Sequence, residues 1–318
     1  MTAYSDTDRP AGRSHPLPSL TRYAGGTDGV PYAVVLDAGR DGPRAMVSAL
    51  VHGNEICGAI ALDGLLQRGL KPVRGRLAVV FMNVEAYRAE PPRRFLDEDM
   101  NRVWDPAVLN GDRSSRELAR ARQVRCLLED AEQLLDLHSM QSQDAPVALS
   151  GDLDKGAELA RAIGVPACIV SDPGHPAGPR MRDYGRFADP QPADAAVLIE
   201  CGQHLAPAAI DLAEEATLRF LLALDMIDRA QAERLAGRAL PPPPRQQLVR
   251  VTGLVTAGAR FRMADAIVGM QPIARAGTVI GWNDGTPVVT PYDDCVPVMP
   301  TPGAAPGTTA LRFGRLVD

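Results

Sequence analysis

Two polar side chains with metal-binding chemistry follow an apolar run near the start of the chain. His52 and Glu55 come directly after residues 45–51, which read as a buried strand, and a helix is predicted from residue 56 to residue 70. Ligands in open α/β sheets bind at the carboxyl ends of strands. Imidazole and carboxylate groups three residues apart are suitable zinc ligands, although the same spacing also occurs in purely structural pairs.

A second histidine occupies the same kind of position. Residues 133–137 are predicted to form a strand, and His138 follows it. Asp136 falls on the same side of this strand, because side chains alternate between the two faces. His138 is therefore a candidate third ligand, and Asp136 is placed to accept a hydrogen bond from a ligand histidine. The alternative is a buried Asp–His pair that holds a loop.

A carboxylate ends a third apolar run. Glu200 comes directly after residues 195–199, and a buried carboxylate is costly unless it is paired or faces a site. A zinc hydrolase needs a carboxylate that takes a proton from water, and Glu200 is the best candidate. The alternative role is the N-cap of the helix that Pro207 is suited to begin.

A polar stretch over residues 92–102 follows the predicted strand 76–82. Its arginines, Arg94 and Arg102 among them, are suited to hold a carboxylate and to polarise a carbonyl. A solvated charged loop is the alternative, and for this stretch alone it is the more common outcome.

The order of the predicted elements indicates the fold class. Strands alternate with helices, which is typical of an α/β protein with a mixed, mostly parallel sheet and helices on both faces. A single long helix is predicted over residues 207–235. Four prolines at 241–244 interrupt this pattern, and only short β-type runs follow. We therefore expect a polar tail (1–25), a catalytic domain (26–238), a proline-rich linker (239–245) and a small all-β domain (246–318).

Composition excludes several classes of protein. The net charge of −5 and the aromatic content of 4% argue against a nucleic-acid-binding protein. No long apolar run predicts a membrane span, and the polar first twenty residues do not form a signal peptide. The five cysteines are scattered without a Cys-x-x-Cys pair, which favours reduced thiols and a cytoplasmic location.

Taken together, four ordered motifs resemble the succinylglutamate desuccinylase/aspartoacylase family of zinc carboxypeptidase-like amidohydrolases. The motifs are His-Gly-Asn-Glu at 52–55, Arg94 with Asp-Met-Asn-Arg at 99–102, Asp-Leu-His at 136–138, and Glu-x-Gly at 200–202. Their order and separations are similar to those of the family. The resemblance extends from about residue 45 to the C-terminal β region, which in the family closes over the active site.

The resemblance implies a reaction and a role for each motif. One zinc ion per chain would be held by His52, Glu55 and His138, and its bound water would attack the amide of an N-acyl amino acid. Glu200 would act as general base and then as general acid, and Arg94 would polarise the carbonyl. Asn101 and Arg102 would bind the substrate carboxylate. Asn54 and Asp136 are expected to support the metal ligands.

Some positions cannot be matched to the family. Residues 180–186 carry Arg180, Arg182 and Arg186, any of which is suited to meet a second substrate carboxylate, and Arg186 is among the expected substrate-binding residues. A mobile, solvated loop is an equally good alternative for this segment. Tyr292 is a further candidate that would reach over the site from the β region. His204, four residues after Glu200, is suited to line the cleft, but exposure to solvent is the more common outcome for such a residue.

Three functions remain open on the sequence alone. The first is a zinc-dependent deacylase with a small-molecule N-acyl amino acid as its substrate. The second is a zinc carboxypeptidase that acts on short peptides, and the third is a non-catalytic protein that binds a metal or a small molecule. We expect no nucleic-acid or membrane partner, and a homo-oligomer is compatible with the sequence.

Overall fold

A ten-stranded mixed sheet runs through the molecule, and helices pack on both of its faces. The computed structural model describes residues 17–191, 193–265 and 267–317. The strands are β1 (Ala33–Asp37), β2 (Arg44–Ala49), β3 (Arg76–Phe81), β4 (Gln133–Met140), β5 (Val147–Leu149), β6 (Cys168–Ser171), β7 (Ala195–Gln203), β8 (Gln247–Thr256), β9 (Phe261–Met263), β10 (Val279–Asn283), β11 (Thr286–Val289), β12 (Val296–Val298) and β13 (Thr309–Leu316). Their order in the large sheet is β1-β3-β2-β4-β7-β5-β6-β8-β13-β12, and β3, β2, β4 and β7 run parallel to one another.

Helices cover the centre of the sheet from both sides, which is why its strands are almost continuously apolar. The helices are α1 (Cys57–Gln67), α2 (Val84–Tyr87), α3 (Pro106–Asn110), α4 (Arg116–Asp130), α5 (Asp154–Ile163), α6 (Pro207–Ala223) and α7 (Arg229–Ala236). Leu62 of α1 and Phe220 of α6 belong to the core on one face. Leu118 and Val124 of α4 belong to the core on the other face. The predicted fold class is confirmed.

The C-terminal region is less separate than the sequence predicts. Strands β8, β13 and β12 extend the large sheet, and β8 pairs in parallel with β6. The separate part is a three-stranded antiparallel sheet made of β9, β10 and β11. The large sheet therefore continues across the expected domain boundary at residue 246, because β8 pairs with β6.

Two further expectations differ from the structure. Residues 1–16 of the predicted tail lie outside the described residues, but Leu20 is buried and the Tyr23 ring stacks on Phe81. The predicted helix over 207–235 is divided into α6 and α7, because Asp225 adopts a φ of 52°. Asp228 then caps α7 by accepting a hydrogen bond from the backbone of Gln231.

In the described part of the chain, none of the helices is both long enough and apolar enough to cross a membrane.

Candidate active site

Three buried side chains with metal-binding chemistry meet at the carboxyl-terminal edge formed by β2 and β4. His52 follows β2, Glu55 lies just before α1, and His138 is part of β4. Their ligand atoms all lie within 4.8 Å of one another. Gly53 permits this turn, because a Cβ at that position would lie 2.3 Å from the backbone nitrogen of Tyr87. We call His52, Glu55 and His138 the metal cluster.

Both histidines present the same nitrogen to Glu55. His52 Nδ1 lies 2.7 Å from Glu55 Oε1, and His138 Nδ1 lies 2.8 Å from Glu55 Oε2. The Nε2 atoms face aspartates, at 2.9 Å from Asp99 for His52 and at 2.8 Å from Asp136 for His138. A carboxylate that accepts the Nε2 proton leaves the Nδ1 lone pair for a cation, as in many metal sites.

The charges of the metal cluster suit a cation. Burial on its own raises the pKa of Glu55, but the charges of His52 and His138 hold it well below its usual value. Burial on its own lowers the pKa of His138, but Asp136 and Glu55 hold it well above its usual value. Ligand imidazoles give up such protons when a metal binds. Two imidazole nitrogens and one carboxylate form a donor set of catalytic zinc sites, so these residues fit zinc.

Glu200 lies beside the metal cluster on β7. It is paired with His138 in the β4–β7 ladder and is 8% exposed. Its Oε2 atom is buried and has no hydrogen-bond partner among the described residues. Burial, followed by the negative charge of Glu55, raises the pKa of Glu200 to about 8, against the opposing charges of His138 and Arg94. A carboxyl group with this pKa exchanges protons readily near neutral pH.

Arg94 connects the metal cluster to Asp99. Its Nη1 lies 3.3 Å from Glu55 Oε1, and its Nη2 lies 3.2 Å from Asp99 Oδ2. The side chain is 44% exposed, so part of the guanidinium remains open to a ligand. Although burial opposes the effect, His52 and the guanidiniums of Arg94 and Arg102 lower the pKa of Asp99. Asp99 is therefore an anion that orients both His52 and Arg94.

Asn101 and Arg102 lie next to Asp99 but have partners of their own. The backbone nitrogen of Met181 donates to Asn101 Oδ1 over 2.8 Å, which joins this loop to residues 180–183. Arg102 Nη2 lies 3.9 Å from Asp99 Oδ2. Burial, together with the charges of Arg180, Arg94 and Arg312, lowers the pKa of Arg102 to about 10 despite the opposing charge of Asp99.

The stretch over 92–102 is not a solvated loop. The buried carboxylate of Glu117, in the first turn of α4, accepts hydrogen bonds from the backbone nitrogens of Leu96, Asp97 and Glu98. The side chain of Asn83 donates to the same carboxylate. These contacts fix the loop that carries Arg94 and Asp99.

The structure does not bring Arg186 to the metal cluster. Its guanidinium donates to the carbonyl of Glu129 and pairs with Asp194, and these two residues precede β4 and β7. That edge of the sheet lies about 16 Å along β4 from His138, at about 3.3 Å per residue. The structure thus places Arg186 away from the metal cluster, and its expected contact with substrate stays a prediction that this placement does not favour.

Two other expected site residues also have different surroundings. The hydroxyl of Tyr292 is hydrogen-bonded to Thr252, and the guanidinium of Arg315 lies 3.9 Å from its ring centroid. Asn54 Oδ1 is buried without a hydrogen-bond partner in the described part of the chain. The aspartate that holds His52 is Asp99, which the sequence did not indicate for this role.

For His204 the structure favours the cleft-lining alternative over exposure to solvent. It is buried rather than exposed, and its Nδ1 lies 2.8 Å from the hydroxyl of Ser139. The backbone nitrogen of Ser139 donates to Glu55 Oε2 over 3.2 Å. Burial, together with the charges of Arg94 and both histidines of the metal cluster, lowers the pKa of His204 although Glu55 opposes it. His204 therefore lines the site as a neutral side chain.

Solved structures share this fold. Succinylglutamate desuccinylase from Vibrio parahaemolyticus superposes with a TM-score of 0.63 at 19% identity, over 87% of this chain and 83% of that chain. A succinylglutamate desuccinylase/aspartoacylase from Rhodobacter sphaeroides gives 0.66 at 18% identity, over 90% and 89%. Murine aminoacylase 3 gives 0.60 at 20% identity, over 87% and 96%. At these identities the similarity shows the fold alone.

Sequence comparison identifies the family. The curated proteins contain no match to this sequence. The family model described as "Succinylglutamate desuccinylase/Aspartoacylase catalytic domain" matches residues 41–224, which is more than half of the chain. This match includes all four motifs and confirms the resemblance inferred from them. The chain belongs to the succinylglutamate desuccinylase/aspartoacylase family of acyl-amino-acid hydrolases.

Proposed function

We propose that this protein is a zinc-dependent amidohydrolase that removes a small acyl group from an N-acyl amino acid. The observation that carries the proposal is the buried metal cluster with Glu200 beside it, since Glu200 has a raised pKa and a buried oxygen without a partner among the described residues. The family to which the chain belongs supports the same reaction class.

His52, Glu55 and His138 would hold the ion, one per chain, and Asp99 and Asp136 would fix the two imidazole rings. A bound zinc ion supplies a Lewis acid that activates water and withdraws electrons from a carbonyl. The hydroxyl of Ser48 donates to Asp136 over 2.8 Å, which fixes that carboxylate in turn.

Glu200 would move the proton. It accepts a proton from the attacking water as the water oxygen bonds to the amide carbon. It then donates that proton to the amide nitrogen as the carbon–nitrogen bond breaks, so the products are a carboxylate and a free amino acid. Its raised pKa suits both steps, because the group gains and loses a proton near neutral pH.

Arg94 and the adjacent loop would orient the substrate. The exposed part of the Arg94 guanidinium stabilises the charge that develops on the carbonyl oxygen. Arg102 binds the carboxylate of the amino acid. Asn101 would donate to the same carboxylate through its Nδ2 group, because its Oδ1 already accepts a hydrogen bond from the backbone nitrogen of Met181.

The test is hydrolysis by the zinc-loaded protein of a panel of N-acetyl, N-succinyl and N-formyl amino acids and dipeptides, with the released amine detected by mass spectrometry. We expect release from a narrow set of acyl amino acids and loss of release after chelation. Cleavage of dipeptides alone would favour the carboxypeptidase alternative. Zinc binding without any hydrolysis would favour the non-catalytic alternative. A cytoplasmic location and a homo-oligomeric state stay predictions.

A further inference from the structure

His204 is a buried polar side chain that the proposed mechanism does not use. It directly follows β7, and its backbone nitrogen donates a hydrogen bond to the carbonyl of Met140, the last residue of β4. This bond fixes His204 at the edge of the sheet where the metal cluster lies. Because the side chain is buried, each of its ring nitrogens requires a partner from the protein, from water or from a ligand.

The hydrogen bond to Ser139 identifies Nε2 of His204 as a donor. Nδ1 lies 2.8 Å from the hydroxyl of Ser139, and no other described residue accepts the proton of that hydroxyl. When the hydroxyl donates to Nδ1, the single ring proton of a neutral His204 resides on Nε2. A protonated ring carries a proton on Nε2 as well, so this nitrogen is a donor in both charge states.

This donor is unused in the described part of the chain. His204 Nε2 makes no hydrogen bond to a described residue, and it is not one of the buried atoms that lack a partner. Solvent therefore reaches this atom, although only 5% of the residue is exposed. The ring is held through Nδ1, so its Nε2–H is available to a ligand.

His204 and Arg102 are connected to different members of the metal cluster. Asp99 contacts both Arg102 and one histidine of the cluster. Ser139 donates its backbone N–H to the carboxylate of the cluster and contacts His204 through its hydroxyl. A row of contacts therefore runs from Arg102 through the metal cluster to His204.

The charges that act on these two residues agree with that order. Burial lowers the pKa of His204, and the strongest charge effects come from Glu55, which opposes the shift, and from Arg94, which adds to it. For Arg102 the strongest charge effects come from Asp99 and three other arginines. Coulomb interactions weaken with distance, so His204 adjoins the metal cluster and Arg102 adjoins the other arginines.

A substrate that spans this row has its acyl group next to His204. In the proposed function the α-carboxylate binds Arg102 and the amide carbonyl lies at the metal cluster, so the acyl chain extends away from Arg102. We propose that the Nε2–H of His204 binds an uncharged oxygen atom of the acyl group, and that hydroxyacyl and alkoxyacyl groups are preferred over alkanoyl groups of the same shape.

This inference rests on the proposed function and adds a substrate class to it. A neutral imidazole supplies one hydrogen bond and no charge, which suits a hydroxyl or ether oxygen. A methyl or methylene group in the same place would leave the N–H without a partner, and an unpaired buried donor is costly.

The test measures the binding of matched acyl amino acids to the zinc-loaded Glu200→Gln protein, which reports selectivity without turnover. N-glycolyl and N-propionyl groups differ in a hydroxyl against a methyl, and N-methoxyacetyl and N-butyryl groups differ in an ether oxygen against a methylene. Each pair is made with alanine, aspartate and lysine. An ether oxygen only accepts hydrogen bonds, so a preference for it requires a donor on the protein.

Titration calorimetry should show that the oxygen-containing member of each pair binds about 3- to 10-fold more tightly, which is the usual effect of one neutral hydrogen bond. Equal binding of both members, or no binding by any of the compounds, would overturn the proposal.

Variants in the same Glu200→Gln background, each with its zinc content measured, assign the preference to His204. His204→Leu should abolish it, and His204→Gln should keep part of it because an amide also donates. Ser139→Ala, which removes the hydroxyl that orients the ring but keeps the backbone N–H, should reduce it. His175→Leu is the matched control, since this half-buried histidine lies near Arg102, and it should leave the ratio of Kd values unchanged. Equal weakening of both members of a pair in His204→Leu would show that His204 only supports the fold, and would overturn the proposal.

Rates of the active enzyme separate this inference from the proposed function. Oxygen-selective binding that requires His204, in a protein that hydrolyses no acyl amino acid, would refute the hydrolase and support the acyl subsite. Hydrolysis with a kcat/KM ratio within each pair that does not change in His204→Leu would support the hydrolase and refute the acyl subsite.

Discussion

The metal cluster and a neighbouring group of three arginines have opposite charge preferences. The three are Arg102, Arg180 and Arg312, which contact Asp99 or Asp172 and are called the arginine cluster here. In the metal cluster each histidine nitrogen faces a carboxylate, so negative charge is concentrated around two imidazoles. In the arginine cluster guanidiniums outnumber carboxylates, and Arg180 has a buried nitrogen without a partner in the described part of the chain. The first suits a cation and the second suits an anion. Asp99 contacts His52 of the metal cluster and Arg102 of the arginine cluster. A ligand that spans both clusters would therefore place its anionic end at the arginines.

The largest effect that separates the two clusters should follow His138→Ala. The substitution removes a ligand atom from the metal cluster, while the arginine cluster keeps all its contacts. We expect the protein to lose stoichiometric zinc, with an affinity loss of at least about 100-fold, as direct ligand contacts outweigh supporting ones. Metal analysis after dialysis measures this. Retention of one zinc per chain would show that the ion binds elsewhere.

A pH series tests the electrostatics of Glu200 without zinc. Its folded pKa, about 8, is higher than the ordinary value of 4.5, so the folded state prefers the protonated carboxyl. Ionisation in the unfolded state therefore reduces stability as the pH rises from about 4.5 to about 8. Relative to wild type, metal-free Glu200→Gln should gain up to about 5 kcal/mol over that range, since each pKa unit corresponds to about 1.4 kcal/mol.

Chemical denaturation at several pH values, with metal removed by chelator, measures the difference. The stability difference between Glu200→Gln and wild type should level off above pH 8. A difference that does not vary between pH 4.5 and 8 would mean that Glu200 is ionised throughout.

A smaller effect should follow Asp136→Asn, which leaves every ligand atom in place. A neutral amide oxygen accepts a weaker hydrogen bond from His138 Nε2 than the carboxylate does, so the imidazole ring is held less firmly. Zinc affinity should fall by about 10- to 100-fold. Competition with a chelating dye gives the affinity. The exposed Asp152→Asn is a matched control that should bind zinc as wild type does.

The smallest effect should come from Arg186→Gln. Arg186 lies near the amino ends of β4 and β7, where its half-exposed guanidinium pairs with the buried Asp194. We expect less than about a twofold change in kcat/KM and a stability loss of about 1 to 3 kcal/mol, because Asp194 loses a charged partner. A selective loss of activity on substrates with two carboxylates would return Arg186 to the site.

The metal cluster was predictable because its residues follow apolar strands. His52 and His138 each end or follow a buried run, as does Glu200 beside the cluster, and parallel strands bring such positions to one edge of a sheet. The arginine cluster was not predictable in this way. Arg312 lies in a short C-terminal run, and the sequence pattern does not reveal that β13 joins the large sheet or that it faces Asp172.

Other differences have equally local causes. The apolar spacing of α6 continues into α7, so the positive φ of Asp225 leaves no trace in the periodicity. Strands β5, β9 and β12 have only three residues each, too few to show an alternation. His204 follows β7 in a polar segment, and its burial depends on a hydrogen bond to Ser139 of β4.

The central claim is that Glu200 carries the proton for hydrolysis beside a zinc ion held by the metal cluster. The most direct test is the rate of zinc-loaded Glu200→Gln on the best substrate of the panel, with bound zinc measured in the same samples. The exposed Glu158→Gln is the matched control. We predict that Glu200→Gln keeps one zinc per chain and loses about 10²- to 10⁴-fold in kcat, the usual contribution of a general acid–base group. A variant that keeps both its zinc and a rate close to wild type would contradict the account.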